Sequence, residues 1–431
     1  MGRRYERVVI DFGRTQMKLP EMILCRQKFP REVVKVPAKA IAELIRSGWL
    51  PQEIKPGQTV AITGGSRGIA SIALLMKALV GSLKEAGAKP FIINAMGSHG
   101  GATRKGQLEI LESLGITEKS VGCPVKVRMD AEKIGELEDG FSVFCDRNAA
   151  RADHIIVMNR VKAHTSVTGP VQSGLCKMCT VGLGKVEGAS RLHRYGLSLM
   201  GKIIQDVASF LASRTPIVAG IGIVENAYGE VAKLELAKPD SFPETDAGLL
   251  VESSRLKAKL PISELDLLIV DEMGKKYSGT GLDTNVIGRR RIGGEAEPAS
   301  PKIERIVVLA LDASSHGNAL GVGLADLITE RLFKDIDFPI TYKNILTSTY
   351  LQRGMIPVIG GGDRETIDKA LYSIPLLRED RVRIAWIKNT NHLGEIALSE
   401  AALAESDPDA QLEKIRKVEW KFDQKDALIP W

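Results

Sequence analysis

Short β-branched segments alternate with amphipathic helical segments along most of this chain of 431 residues. Apolar strands that alternate with helices are typical of parallel sheets covered by helices on both faces. The segments predicted as strands are 8–10, 59–62, 91–93, 155–157, 217–219, 267–270, 306–309 and 382–385. The segments predicted as helices are 69–86, 197–211, 320–333 and 365–372. The alternation therefore predicts an α/β fold with mainly parallel sheets.

The length of the chain exceeds what one typical core can bury, which favours two α/β domains. A charged helical stretch at 249–261 ends in a proline and is interpreted as the linker between them. The predicted domains are therefore 1–257 and 258–431. Ligands of such folds gather at the carboxyl ends of the strands. We expect the active site in the cleft between the two domains.

Composition narrows the class of ligand and the compartment. A net charge of +6 and a pI near 8.9 fit anionic small molecules, and aromatic residues make up only 5% of the chain, too few for a base-stacking surface. We therefore expect no nucleic-acid partner. Five cysteines, an odd number, argue against a disulfide framework. The first residues lack the apolar stretch of a signal peptide, and no apolar run is long enough to span a bilayer, so we expect a cytoplasmic protein without a membrane partner.

Two histidines follow predicted strands directly. His99 lies in a glycine-rich loop after 91–93, and His164 follows 155–157. Such positions are well placed to meet a ligand, although each residue could instead be a loop-capping histidine. Histidine titrates near neutral pH, so two of them facing one substrate would supply one base for each face of a stereocentre.

The segment around Lys177 offers several chemistries. Cys176 and Cys179 flank the lysine and could form a redox dithiol, whereas zinc is disfavoured because no second cysteine pair exists. Alternatively, Lys177 could hold a covalent adduct, with room provided by the neighbouring glycines. His193 would then supply an imidazole ligand to a metal carried by that adduct. His316 and His392 lie in turns, and no partner for them is evident.

The turn at 63–70 follows a strand and opens a helix, as in the cofactor-binding turn of short-chain dehydrogenases. Backbone N–H groups at such a turn bind phosphate, and Arg67 is the charged donor we expect there. Ala70 stands where that family has glycine, and no Tyr-x-x-x-Lys pair occurs in the chain. A nicotinamide-dependent dehydrogenase and a purely structural turn stay open as alternatives.

Taken together, these residues resemble the nickel-pincer-nucleotide lactate racemase family. The Gly-x-His loop of that family is matched by His99, and its second histidine by His164. Its Ser-Gly-x-x-Lys segment is matched by Ser173, Gly174 and Lys177, with His193 at the family's spacing from the lysine. The basic residue after its Asp-x-Asn segment is matched by Arg291, and the arginine of its strand-end turn by Arg67, which follows Ser66.

The resemblance implies a cofactor and a role for each matched residue. The cofactor would be a pyridinium-3-thioamide-5-thiocarboxylic acid mononucleotide bonded to Lys177, with nickel held by the cofactor and His193. Arg67, Ser66, Ser173 and Gly174 would contact this nickel-pincer nucleotide. His99 and His164 would exchange acid and base roles while C2 of a 2-hydroxy acid is inverted by hydride transfer, and Arg291 or Arg67 would hold the substrate carboxylate. The first domain would carry the cofactor anchor and both histidines, and the second would add substrate-binding residues. Enzymes that synthesise the cofactor would be partners.

Departures from the family pattern cluster at the substrate side. Gly64 stands where the family has an aspartate, and Gly100 stands where it often has an arginine. Ile287 and Gly288 stand where the family has a Tyr-Gln pair. We therefore expect a 2-hydroxy acid other than lactate, and space at Ile287 and Gly288 would suit a sugar acid. A non-catalytic carrier of the cofactor is a further alternative, which would not need both histidines.

Overall fold

The computed structural model describes residues 17–375 and 377–431, and these residues form an α/β protein. In this part of the chain the strands are β1 (Met22–Lys28), β2 (Thr59–Gly64), β3 (Lys89–Asn94), β4 (Val125–Lys126), β5 (Ala131–Glu136), β6 (Ser142–Asp146), β7 (His154–Arg160), β8 (Ile217–Glu225), β9 (Val231–Ala237), β10 (Glu264–Met273), β11 (Lys302–Leu311), β12 (Leu327–Thr329), β13 (Val358–Gly360), β14 (Ile384–Ile387), β15 (Glu395–Ser399) and β16 (Gln411–Val418). The predicted strand 8–10 lies outside the described residues.

The helices surround these strands. They are α1 (Pro37–Ser47), α2 (Leu50–Glu53), α3 (Ile72–Glu85), α4 (Arg104–Ser113), α5 (Glu118–Val121), α6 (Arg147–Ala150), α7 (Leu175–Lys177), α8 (Lys185–Arg194), α9 (Leu197–Arg214), α10 (Phe242–Leu256), α11 (Thr284–Ile287), α12 (Glu330–Lys334), α13 (Phe338–Ser348), α14 (Asp363–Tyr372) and α15 (Glu400–Ala404). A π-helical turn, Met178–Leu183, connects α7 with the segment that leads into α8.

The chain divides into two compact units. The continuous unit comprises residues 29–258, and the two-segment unit comprises residues 17–28 together with 259–431. The predicted division into 1–257 and 258–431 differs from this in one respect, the position of the N-terminal strand. β1 pairs antiparallel with β15 on one side and β16 on the other, so its hydrogen bonds belong to the sheet formed by the C-terminal residues. Sequence order alone does not reveal such a pairing.

The continuous unit is built on a sheet in the order β4-β3-β2-β7-β8-β9, in which β9 is antiparallel to β8 and the other neighbours are parallel. Its central strands are apolar, and Ile62, Ile92 and Ile156 are fully buried. Leu75 and Leu79 lie one helical turn apart on α3, and both pack into the same core. A second, two-stranded sheet pairs β5 with β6. These contacts confirm the predicted parallel, helix-covered sheet.

The two-segment unit contains a mixed sheet in the order β13-β12-β11-β10-β14-β15-β1-β16. The five strands from β13 to β14 are parallel, and the remaining three pair antiparallel. Trp386 is fully buried in this core and stacks on Trp420 at a ring separation of 5.6 Å. The predicted helix 320–333 was wrong over most of its length, because β12 lies within it and only α12 at its end is helical.

Candidate functional site

The carboxyl ends of three adjacent strands bring the first candidate residues together. β2 pairs in parallel with β3 on one side, with Gly64 opposite Asn94, and with β7 on the other, with Ile62 opposite Ile156. The loops after these strands therefore leave the same edge of the sheet. Ser66 and Arg67 lie after β2, His99 after β3, and Lys162 and His164 after β7. We call this the carboxyl edge.

His99 is held by hydrogen bonds from two directions. Its side chain is exposed, and its Nδ1 atom lies 3.0 Å from Ser66 Oγ. The loop beneath it is fixed by the fully buried Gln107, whose Nε2 donates to the carbonyls of Gly97 (2.8 Å) and His99 (3.2 Å). Gly100 adopts a φ of +63°, and a Cβ there would lie 2.6 Å from the backbone nitrogen of Gln107. The backbone packing therefore explains why no arginine follows this histidine.

A buried polar network connects the His99 loop with helix α8. The ammonium of Lys185 lies 2.6 Å from Asp146 Oδ2 and donates to the carbonyl of Asn94 at 2.5 Å, and Lys185 and Asp146 are fully buried. Asn94 Nδ2 in turn donates to Gln107 Oε1 at 2.5 Å. Lys185 has a φ of +55°, a conformation that costs energy for a residue with a side chain. The network therefore fixes the start of α8 relative to the carboxyl edge.

The turn that carries Lys177 is shaped by Gly174 and Asp246. Gly174 has a φ of +87°, and a Cβ there would overlap the carboxylate of Asp246. That carboxylate accepts hydrogen bonds from the backbone N–H groups of Leu175 (2.9 Å) and Cys176 (2.8 Å). Burial is the main cause that raises the pKa of Asp246 to about 6. The close approach of a side chain to the backbone explains why glycine stands at this position.

Two further contacts fasten this turn to β7 and the loop after it. Asn159 Nδ2 donates to the carbonyl of Gly174 at 2.8 Å. Ser173 Oγ donates to the carbonyl of Lys162 (2.6 Å) and accepts from its backbone N–H (2.8 Å). Ser173 and Gly174 are thus structural supports of the lysine turn. The expected contact of Ser173 and Gly174 with a cofactor stays a prediction.

Lys177 lies in a strongly electropositive part of the site. Its side chain is half-buried, and its pKa is lowered to about 8, chiefly by burial and then by the positive charges of Arg67 and Lys162. The pKa of His193 is also lowered, by burial and then by the charge of Lys177. The charge of Arg67 thus acts on Lys177, and that of Lys177 acts on His193, whereas the roles expected of these residues toward a cofactor stay predictions. Within the described ranges, no carboxylate forms an ion pair with Lys177 or Arg67.

His164 is oriented by its own loop. Its backbone N–H donates to Gln172 Oε1 at 2.9 Å. Its Nδ1 atom accepts hydrogen bonds from the backbone N–H groups of Ser166 (3.1 Å) and Val167 (3.0 Å). The ring is half-buried, and Ser166 and Val167 are both buried. The two candidate histidines therefore share an edge of the sheet but differ in the partners of their Nδ1 atoms.

Comparison with known proteins finds a family model that matches part of the chain. Residues 14–194 match the family model described as the lactate racemase N-terminal domain, and this range contains His99, His164, Lys177 and His193. This part of the chain is similar to the N-terminal domain of lactate racemases.

The fold is similar to that of a solved structure. The lactate racemase apoprotein from Thermoanaerobacterium thermosaccharolyticum is 14% identical, with a TM-score of 0.54 over 81% of this chain and 91% of that chain. A structural-genomics protein from Thermotoga maritima is 15% identical, with a TM-score of 0.45 over 63% of this chain and 69% of that chain. No curated protein sequence matches the chain. At 14% identity, the structure of the racemase apoprotein supports the fold alone.

The cysteines beside Lys177 do not form a reactive pair. Cys176 and Cys179 are fully buried, and burial together with the charge of Asp246 raises the pKa of both thiols. A thiolate is the form that attacks disulfides and binds zinc. The redox and zinc alternatives for this segment therefore lack a reactive thiolate, and the lysine chemistry is favoured.

Arg291 has structural contacts, and the substrate-binding role expected of it stays a prediction. It lies in the two-segment unit, where its guanidinium donates to the carbonyl of Gly323 (2.5 Å) and pairs with Asp326 (2.6 Å). Arg289 pairs with the second oxygen of the same carboxylate at 2.6 Å. The basic run 289–291 thus supports a turn through Asp326, and Arg67 is the better candidate for a substrate carboxylate.

The expected space for a larger substrate is also absent at Ile287 and Gly288. Ile287 is fully buried, and Gly288 has a φ of +60° at which a Cβ would overlap the carbonyl of Pro301. The argument for a sugar acid therefore loses its basis. His316 and His392 lie in the two-segment unit; His392 contacts Asn389 and Tyr277, and His316 ends a short 3-10 turn, so their roles stay unassigned.

Three supporting residues were missed at the sequence level. Lys162 lies two positions before His164, so its place after β7 could have indicated it. Asn159 lies at the end of the same strand. Asp246 is on α10, about seventy residues beyond the turn it supports, and no sequence pattern indicates it. Long-range contacts of this kind become visible only once the fold is known.

Proposed function

We propose that this protein is a racemase or epimerase that inverts C2 of a 2-hydroxy acid and uses a nickel-pincer nucleotide bonded to Lys177. The observation that carries the proposal is the lysine itself. Its amine is half-buried and its pKa is lowered to about 8. A lysine of this kind is partly unprotonated at neutral pH, which a covalent anchor requires.

The chemistry of the surrounding groups fits that cofactor. Arg67 and Lys162 supply positive charge for a nucleotide phosphate, and the lowered pKa of His193 favours the neutral imidazole that binds a metal. Among residues 17–375 and 377–431, no three His, Cys, Asp or Glu side chains come together as a metal site. His193 would therefore hold nickel together with donors from the nucleotide. When bound, such a cofactor would supply the hydride chemistry at C2.

The residues of the chain bind the substrate and handle its proton. Arg67 is suited to a bidentate contact with the carboxylate of a 2-hydroxy acid. His99 can take the hydroxyl proton at Nε2, since its Nδ1 is held by Ser66. His164, at the end of the adjacent β7 segment, supplies the second imidazole of the site.

The compartment of the protein and its partners are part of the same proposal. Loading of Lys177 requires enzymes that synthesise the nucleotide, and these are the expected partners in a cytoplasmic setting. Within the described residues, no helix combines the length and apolar character that a membrane crossing demands. This finding is compatible with the proposal and carries no further conclusion.

The experiment is a search for inversion with C2-deuterated substrates. The protein is produced together with cofactor-synthesis enzymes and incubated with single enantiomers of a panel of 2-hydroxy acids that includes lactate. We expect one acid to be inverted, as followed by chiral chromatography, with deuterium retained at C2. Loss of deuterium to water would indicate proton abstraction at C2 and would contradict the proposal, as would the absence of inversion across the panel. Lys177→Arg, which keeps the charge, should be inactive.

A further inference from the structure

Gly97, two residues before His99, lies directly against helix α8. A Cβ at Gly97 would lie 2.9 Å from the Cβ of Ala189 in that helix. Carbon atoms of neighbouring side chains normally approach to about 3.5–4.0 Å, so the contact has no room for a side chain on the loop. The φ of Gly97 lies outside the left-handed region, so the backbone conformation does not itself require glycine. The need for glycine at this position therefore comes from the packing against α8.

The contact reaches His193 through the geometry of the helix. Ala189 and His193 are four residues apart in α8, and residues with this spacing lie on one face of a helix, about one turn apart. The turn that contacts the loop of His99 is therefore the turn directly before His193. A regular helix moves as one body over so short a distance, so a displacement of Ala189 also displaces His193.

Two further contacts hold the same segment against the end of β3. Gly182 lies in the π-helical turn before α8, and a Cβ there would lie 3.1 Å from the carbonyl oxygen of Ala95. At the start of α8, the ammonium of Lys185 donates to the carbonyl of Asn94 at 2.5 Å, and both residues are fully buried. The segment between the proposed cofactor anchor and the proposed nickel ligand therefore follows the chain that leads into the loop of His99.

We propose that Gly97 and Ala189 are positioning residues that set the place of His99, the proposed proton acceptor, relative to His193, the proposed nickel ligand. The roles of the two histidines rest on the proposed function, whereas the packing that joins them does not. A proton acceptor and a metal-bound cofactor that act on one substrate need a fixed separation, because a displacement of about 1 Å can cost about a hundredfold in rate. The glycine of the Gly-x-His pattern thereby gains a physical reason.

The test exchanges one methyl group across the contact. Gly97→Ala adds a methyl that α8 cannot accommodate. Combining Gly97→Ala with Ala189→Gly removes the opposing Cβ and leaves Val181 Cγ1, at 3.4 Å, as the nearest atom. Ala189→Ser enlarges the helix side of the same contact and stays informative if Gly97→Ala does not fold. Gly81→Ala is the matched control, because Gly81 on α3 has open space at its Cβ position.

The first measurement uses full-length protein without cofactor, labelled with ¹⁵N in histidine. We expect Gly97→Ala, and to a smaller extent Ala189→Ser, to shift the resonances of His99 and His193, while His154 at the start of β7 stays in place. The double variant should return both resonances to their wild-type positions, and Gly81→Ala should not move them. Unchanged resonances in Gly97→Ala, or a double variant that remains shifted, would overturn the proposal.

The second measurement uses protein loaded with the cofactor. Because the anchor and the nickel ligand both lie on the helix side of the contact, Gly97→Ala should keep the adduct and about one nickel per chain. Its kcat should fall about tenfold or more with KM within about threefold of the wild type, and the double variant should recover kcat to within about threefold. Wild-type kcat in Gly97→Ala would refute the positioning role. A wild-type protein without an adduct would instead refute the proposed function, and the histidine spectra would still decide whether the contact places the two rings.

Discussion

Ser66 Oγ lies 3.0 Å from His99 Nδ1, so a side-chain hydrogen bond connects the loops after two adjacent parallel strands. Ser66 was expected to contact the cofactor, and this expectation stays a prediction. The contact with His99 gives the serine a second role, which is to orient the ring so that Nε2 is available for proton transfer. The loop of His99 is fixed from below by Gln107, and Ser66 contributes a contact to the ring itself.

Ser66→Ala should lower kcat about tenfold with little change in the free energy of unfolding. The lost hydrogen bond is worth about 1.4 kcal/mol, which corresponds to about a factor of ten in rate. Ser66→Thr retains the hydroxyl and should keep most of the activity. Rates of inversion by the loaded enzyme measure the effect, with Ser113→Ala, an exposed serine bonded to Ile110, as control. Wild-type kcat in Ser66→Ala would show that the serine does not position the ring.

Gly174→Ala should unfold the lysine turn. The substitution forces a side chain into a φ of +87° and against the carboxylate of Asp246, so we expect a loss of about 3 kcal/mol or more in the free energy of unfolding. Gly169→Ala is the matched control, because Gly169 has a φ of +96° but open space around its Cβ position. That control should lose only about 1 kcal/mol. Urea unfolding followed by circular dichroism compares the two variants. Equal losses would mean that the contact with Asp246 is unimportant.

Asp246 should make the stability depend on pH. Burial raises its pKa to about 6 in the folded protein, above the ordinary value of 3.8. The folded state therefore holds the proton more tightly, so the stabilisation is fully present below pH 3.8 and is lost as the pH rises through 6. The difference in unfolding free energy between the wild type and Asp246→Asn should fall by about 3 kcal/mol from pH 4 to pH 7. A difference that does not vary with pH would contradict this account.

Lys185→Met should destabilise the protein strongly, since it leaves the Asp146 carboxylate buried without its cation. Loss of one member of a buried ion pair costs about 3–5 kcal/mol. Lys202→Met is the control, because Lys202 pairs with Asp206 on the exposed surface of α9 and should cost at most about 0.5 kcal/mol. Urea unfolding at pH 7 measures both variants. If Lys185→Met costs no more than the control, the network does not support the fold.

The fold can be predicted from the sequence where the strands are central and apolar. Strands such as β2 and β7 lie close to their predicted positions, because buried parallel strands are continuous runs of Val and Ile. Edge and antiparallel strands were missed. β16 has exposed, charged residues, so no apolar pattern marks it. The predicted helix 320–333 failed because short apolar runs do not distinguish strand from helix.

The sequence predicts those site residues that directly follow a predicted strand. Arg67 directly follows β2, and its charge acts on Lys177, whose charge in turn acts on His193 in α8; the cofactor roles of these residues stay predictions. The pairing of Arg291 with Asp326 was not predicted, since a basic residue in a motif reveals nothing about its partner. The different partners of Nδ1 in His99 and His164 are likewise not encoded by residue types and spacing.

The most direct test of the central claim is the mass of the peptide that contains Lys177. Protein produced together with cofactor-synthesis enzymes is digested and analysed by mass spectrometry, and its nickel content is measured in parallel. We predict an adduct of nucleotide size on Lys177 and on no other lysine, with about one nickel per chain, and neither in Lys177→Arg. His193→Ala should retain the adduct but lose nickel. An unmodified Lys177 in protein from such a host, or an adduct on another lysine such as Lys162, would contradict the account.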